Sequence, residues 1–145
     1  MGRGSDVDVR AEIARKRRIA LVAAMNSTYA YKLRDTGLRM MGFASYKAYR
    51  KSATWTTIRK RVFGRSKGVC EFCGAKATEI HHSSYHRACL DGRDLTYLHA
   101  VCHDCHQYGE YGDSGRKLSP AAATERMRSP LRLDSSCLPI LPAVP

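Results

Sequence analysis

Residues 70–110 read CEFCGAKATEIHHSSYHRACLDGRDLTYLHAVCHDCHQYGE. Five of the chain's 6 cysteines and all 6 histidines fall in this stretch. Cys70 and Cys73 make one C-x-x-C knuckle, with Gly74 behind it, and Cys102 and Cys105 make a second. Each knuckle can aim two sulfurs at one point. Four thiolates at the corners of a tetrahedron suit Zn²⁺, a closed-shell ion with no geometric demand of its own. The 28 residues between the knuckles exceed the commonest zinc-site spacing and leave room for a folded insert. His99 stands x-x before Cys102, so Cys70, Cys73, His99 and Cys102 form an alternative tetrad. The four-cysteine set is preferred.

The insert carries the reactive histidines. Residues 77–82 predict a short strand ending Glu79-Ile80-His81-His82, and residues 95–98 predict a second strand antiparallel to it. Neighbouring side chains on a strand point to opposite faces. His81 and His82 therefore take different jobs: one can bind a metal while the other faces substrate. His106 follows the second knuckle directly, at the start of a predicted helix. Glu110 lies four residues on and shares its face. A strand-end histidine beside a helical His/Glu face predicts a second cation site, hard, oxygen-rich and open to water. His86 and His103 read as surface or packing residues, with His103 replacing His106 in a shifted register. Cys89 reads as a buried or half-buried thiol.

The run C-x-x-C-G, then E-I-H-H-x-x-Y, then L-x-x-L-x-x-V-C-x-x-C-H resembles the zinc-bearing branch of the HNH endonucleases. The likeness covers residues 70–110. It extends upstream to Tyr49, Ser52, Trp55, Ile58 and Arg59, and downstream to Gly115-Arg116-Lys117. It implies a ββα-metal fold, two strands and a helix gripping one divalent ion. It also implies His82 as general base, with His81 and His106 as ligands of a catalytic Mg²⁺, Mn²⁺ or Ni²⁺. Glu110 occupies a place where the family often has a further histidine, and a carboxylate also binds a hard cation. The family's middle asparagine is missing, Tyr97 or Asp94 being nearest. Phage HNH proteins are the setting that the resemblance suggests for so small a basic chain.

Those residue types fit phosphodiester hydrolysis. A neutral imidazole accepts a proton from water near neutral pH, and a divalent ion stabilises the scissile phosphate and the leaving 3′ oxygen. Other chemistries find no support. A zinc deaminase wants H-x-E and P-C-x-x-C, a metalloprotease H-E-x-x-H, and neither pattern occurs. A glycine-rich phosphate loop and a G-x-S-x-G elbow are also absent. The competing reading is a non-catalytic, zinc-stapled nucleic-acid-binding module.

Net charge is +12 over 145 residues and unevenly placed. Residues 1–69 hold 17 Lys and Arg against 4 Asp and Glu, whereas residues 70–145 hold 8 against 9. Such density on one half predicts a polyanionic partner, DNA first. A helix is predicted from about Asp6, capped by Ser5, to about Met25. Phe43–Lys51 predicts a short helix whose Phe43, Tyr46 and Tyr49 form a core stripe. A further helix is predicted from a Thr54 cap to about Arg65, with Trp55, Ile58 and Val62 inward and Arg59, Lys60, Arg61 and Arg65 as phosphate contacts. Ser119-Pro120 opens a last short helix to Arg128, and the tail from Ser129 predicts disorder.

The expected fold class is thus α+β. Its three parts are a basic helical lead-in (1–69), an HNH-like ββα-metal module stapled by zinc (70–118), and a short helix with a tail (119–145). The seven-residue apolar run Ile19–Met25 stands at the bottom edge for a signal's apolar region and follows a charged helix, so no secretory signal is expected, and nothing reaches the length of a membrane span. With metal-type knuckles, this predicts a reducing, cytoplasmic setting and no membrane partner.

Overall fold

The computed structural model describes residues 4–129, with side chains from Val9 onward except those of 19–26. The expected tail lies outside these residues. Six helices and two strands follow one another: α1 (Gly4–Met40), α2 (Tyr46–Arg50), α3 (Ala53–Ser66), β1 (Glu79–His82), α4 (Arg87–Leu90), β2 (Leu98–Val101), α5 (His103–Glu110) and α6 (Pro120–Arg128). The class is α+β. The strands pair antiparallel, Glu79 opposite Val101 and His82 opposite Leu98. Among the described residues no helix is long and apolar enough to cross a membrane.

The first helix runs fifteen residues beyond the expected stop near Met25. Neither Asn26 nor Gly37 breaks it. A Cβ at Gly37 would lie 2.9 Å from Leu90 Cδ1, so this glycine is a point of close approach between α1 and α4. The real stop is Gly42, at φ +88°, where only glycine is unstrained. Phe43 N–H donates to Leu38 O (2.9 Å) and Gly42 N–H to Arg39 O (2.9 Å), the two bonds of a Schellman ending.

Other boundaries move: α2 starts at Tyr46, capped by Ser45, not at Phe43, and β1 starts at Glu79, not at 77. Ser52, not Thr54, caps α3, its Oγ accepting from Trp55 N–H at 3.2 Å. The second strand lies at 98–101, not 95–98. Asp94 Oδ1 accepts from Thr96 N–H (2.9 Å) and holds residues 94–96 in a turn. All four strand residues that follow are buried, so no in-out alternation marks them in the sequence.

The core lies between the lead-in helices and the hairpin. Leu38, Tyr49, Trp55, Ile58 and Val62 pack against Ile80, Leu90, Leu98 and Ala100. Tyr49 behaves as the stripe predicts: fully buried, it stacks on Tyr46, meets Phe43 edge-on and lies tilted against Trp55. Its hydroxyl donates to Leu90 O at 2.8 Å, which satisfies the one polar atom that burial would otherwise penalise. A second cluster gathers the cysteines with Ala75, Val101 and Met127. The last helix is capped by Ser119 and carries Pro120 in its first turn, as expected.

Candidate metal and histidine site

Two tight turns and one helix start build the sulfur site. Gly74, at φ +79°, closes the first knuckle, with its N–H donating to Cys70 O at 3.0 Å. Cys102 caps α5, and its Sγ accepts from Cys105 N–H at 3.3 Å. The positive end of a helix favours a thiolate there. Cys70 Sγ lies 3.3 Å from Cys105 Sγ, and Cys73 Sγ 3.6 Å from Cys102 Sγ. Zinc–sulfur bonds of about 2.3 Å in a tetrahedron give edges of about 3.8 Å, so the sulfurs stand close to the spacing that zinc needs. The four could hold a zinc ion, and their chemistry suits it. The Cys70–Cys105 hydrogen bond lowers the Cys70 thiol, while burial raises Cys73. His99, the alternative ligand, turns instead to Glu71, Nδ1 to Oε2 at 2.9 Å.

His81, His82, His103 and His106 line a separate cavity of about 650 Å³. Its floor is the end of β1. His82 is sandwiched between Trp55 (5.3 Å between ring centres, 18° between planes) and Tyr85 (4.9 Å, 27°). It is only 3% exposed, and its Nε2 is the one buried side-chain nitrogen or oxygen without a hydrogen-bond partner among the described residues. Burial, then the neighbouring His81, pushes its pKa down to about 3. The ring is therefore neutral at physiological pH.

His81 faces the other way, toward α5 and α6. Its Nε2 meets Thr124 Oγ1 (2.9 Å) and Pro120 O (3.2 Å). Thr124 Oγ1 itself donates to Pro120 O, so the consistent assignment has His81 donating through Nε2–H, with its lone pair on Nδ1. Its ring centre lies 5.6 Å from that of His106. His106 Nδ1–H donates to Glu79 Oε2, which leaves the Nε2 lone pair free, and that atom lies 3.8 Å from Glu110 Oε1. The other oxygen of Glu79 binds His103 Nδ1 at 2.9 Å. Burial tends to raise Glu79, but bonds from His103 and His106 outweigh it and hold the carboxyl below its ordinary range. Outer partners thus fix both tautomers, as they do around metal-binding histidines.

Sequence-predicted residues divide as follows. The structure gathers all four cysteines and brings His81, His82, His106 and Glu110 to one cavity. It does not draw His81, His106 and Glu110 into a closed ligand set. Among the described residues the cysteines alone form a group of three or more ligand atoms within 4.8 Å of one another. Of the expected phosphate contacts, Arg59 lines the cavity and Lys60 is exposed. Arg61 instead donates to Gly92 O (2.7 Å). Arg65 ties α3 to Leu95 O (2.8 Å), Glu71 Oε1 (2.8 Å) and Leu98 O. These two, one turn apart, lie on the side of α3 that packs on the 90–98 segment, so they brace the scaffold.

Sequence reasoning missed Arg34, Arg50 and Lys117, which join Arg59 around the cavity. Arg34 sits over Tyr46 at 4.4 Å and over Tyr31 at 5.0 Å. These cations come from α1, α2 and the loop after α5, and no local pattern joins them. Thr124 and Pro120 escaped for the same reason. Cys89 is buried, and its surroundings push its pKa up to about 12, so it is an inert thiol.

No family model matches the chain, and it has no match among curated proteins or solved structures.

Proposed function

We propose that the chain is a metal-dependent DNA endonuclease of the HNH type. One observation carries the reading: His81 and His106, with ring centres 5.6 Å apart, share a cavity with His82 and its unpartnered Nε2, under four cationic side chains. His82 would accept the proton of the attacking water at Nε2. Trp55 and Tyr85 hold the ring in plane for that role. Arg34, Arg50, Arg59 and Lys117 would draw the phosphodiester into the cavity and offset its charge. His81 and His106, with Glu110 in reach, would hold a divalent ion such as Mg²⁺, Mn²⁺ or Ni²⁺. That ion would stabilise the scissile phosphate and the leaving 3′ oxygen. The four cysteines would hold a structural zinc, and a reducing, intracellular setting belongs to the same proposal.

The test is nicking of supercoiled plasmid by the full chain with each cation in turn. Loss of a general base costs about 10²–10⁴-fold. We expect His82→Ala to fall by that much while DNA binding and zinc content persist, and undiminished cleavage would strip His82 of the role. A second reading, a zinc-stapled binder that does not cleave, draws on the lack of a closed second ligand set among the described residues. DNA retention with an intact plasmid under every cation would select it.

A further inference from the structure

Residues 111–117 read YGDSGRK and turn the chain back on the end of α5. Gly115, at φ +73°, allows the turn. Gly112 N–H donates to Arg116 O (2.9 Å), and Leu118 N–H donates to Glu110 O (2.7 Å). These backbone bonds set Lys117 beside Glu110, and the two side chains meet. Lys117 Nζ lies 3.5 Å from Glu110 Oε1, and that same oxygen faces His106 Nε2 at 3.8 Å. Glu79, the other carboxylate lining the cavity, is bound by His103 and His106. Of the four cations around the cavity, Lys117 alone pairs, among the described residues, with a carboxylate that lines it. The partner of Arg34 is Asp35, which lies outside the lining.

We infer that Lys117 holds Glu110 as a counter-ion until a phosphodiester enters the cavity, and that Glu110 is released to a divalent cation only then. An imidazole lone pair and a carboxylate oxygen that face each other repel unless positive charge lies near, and the ammonium supplies it. Glu110 Oε1 lies nearer to that ammonium than to His106 Nε2, which keeps His81, His106 and Glu110 from closing into a ligand set. The hold is reversible. An ammonium is a point charge on a flexible stem, and the two side chains are 45% and 28% exposed. The Tyr31 ring, 5.2 Å from Nζ, gives the cation a second resting face on the cavity wall. A site whose ligand is partly taken binds more weakly in proportion to the fraction left free. Phosphate and divalent cation therefore bind cooperatively, each favouring the other. The inference rests on the proposed nuclease reading and adds a coupling between the two ligands of that site.

The test is titration of the zinc-loaded full chain with Mn²⁺, free ion being read by electron paramagnetic resonance with no DNA present. Lys117→Met should bind Mn²⁺ about 5–10-fold more tightly than the parent, the low end of linked binding for a half-exposed pair. Lys117→Arg should return the parent value. Glu110→Gln should cost little in the parent and undo the whole gain in the Lys117→Met chain. Loss of a positive charge alone would raise affinity whether or not Glu110 is present. Equal costs of Glu110→Gln in the two backgrounds therefore overturn the inference, as does parent affinity in Lys117→Met. A duplex added to chains that also carry His82→Ala, so that no bond is cut, should tighten Mn²⁺ binding more with Lys117 than with Met at that position. Equal tightening overturns the coupling. Equal costs beside a nicked plasmid remove the counter-ion and keep the nuclease. The expected cycle beside an uncut plasmid keeps the counter-ion and removes the nuclease, and a chain that takes up no Mn²⁺ removes both.

Discussion

At the residue scale the proposed chemistry turns on a single nitrogen, Nε2 of His82. Its neighbours are aromatic faces, which bury the ring without bonding that atom. Burying the charged form of an imidazole is costly, so the ring resists protonation. Its pKa near 3 lies below the ordinary 6.5, and the fraction able to accept a proton stays near one throughout the mildly acidic range. We therefore expect the acid limb of kcat/KM for nicking to fall below 6.5, with zinc content followed in parallel. An acid limb at or above 6.5 would place the base elsewhere. The histidine pair was legible in the sequence because strand alternation alone gives adjacent residues different faces. The partners that fix the tautomer of His81 were not, because Thr124 and Pro120 lie about forty residues away and nothing in their local sequence marks them.

Among the elements, α5 and α6 define how close two helices come. A Cβ at Gly109 would stand 2.6 Å from Met127 Cγ and 3.0 Å from Ala123 O. The methionine can shift, but the backbone oxygen cannot. Gly109→Ala should cost about 1–3 kcal/mol, as overpacking does, read as a lower urea midpoint. Adding Met127→Ala should recover only part of it. Full stability in the single variant would show that the helices slide apart freely. Elements with a local signal were readable: Ser119-Pro120 opens α6 as its chemistry dictates, and α3 shows its inward face through Trp55, Ile58 and Val62. Those whose signal is tertiary were not. The second strand is buried on both faces and shows no alternation, and Gly37 looks like a break until Leu90 is seen beside it.

For the whole molecule, the cysteine cluster joins segments that the rest of the packing holds only in part. The first knuckle precedes β1, the second starts α5, and Met127 of α6 belongs to the same buried cluster. Structural zinc contributes about 10–16 kcal/mol to small domains of this kind, comparable with the entire stability of a typical fold. Chelation, or Cys102→Ser, should therefore remove the cooperative melting transition and drop zinc below one equivalent. A chain that melts unchanged without metal would show that the hydrophobic core suffices. The cysteine cluster was legible because its members recur at fixed short spacing. The cationic rim was not, because Arg34, Arg50, Arg59 and Lys117 converge only after α1, α2, α3 and the loop beyond α5 have packed.

Trp55 is the chain's only tryptophan, and it lies nearly flat against His82. Its fluorescence therefore comes from one place, the wall of the cavity. An indole in such contact is dimmed when the imidazole beside it becomes a cation. The emission of the unlabelled chain is thus a built-in optical gauge of the ring's charge, legible without any dye and before any bond is cut.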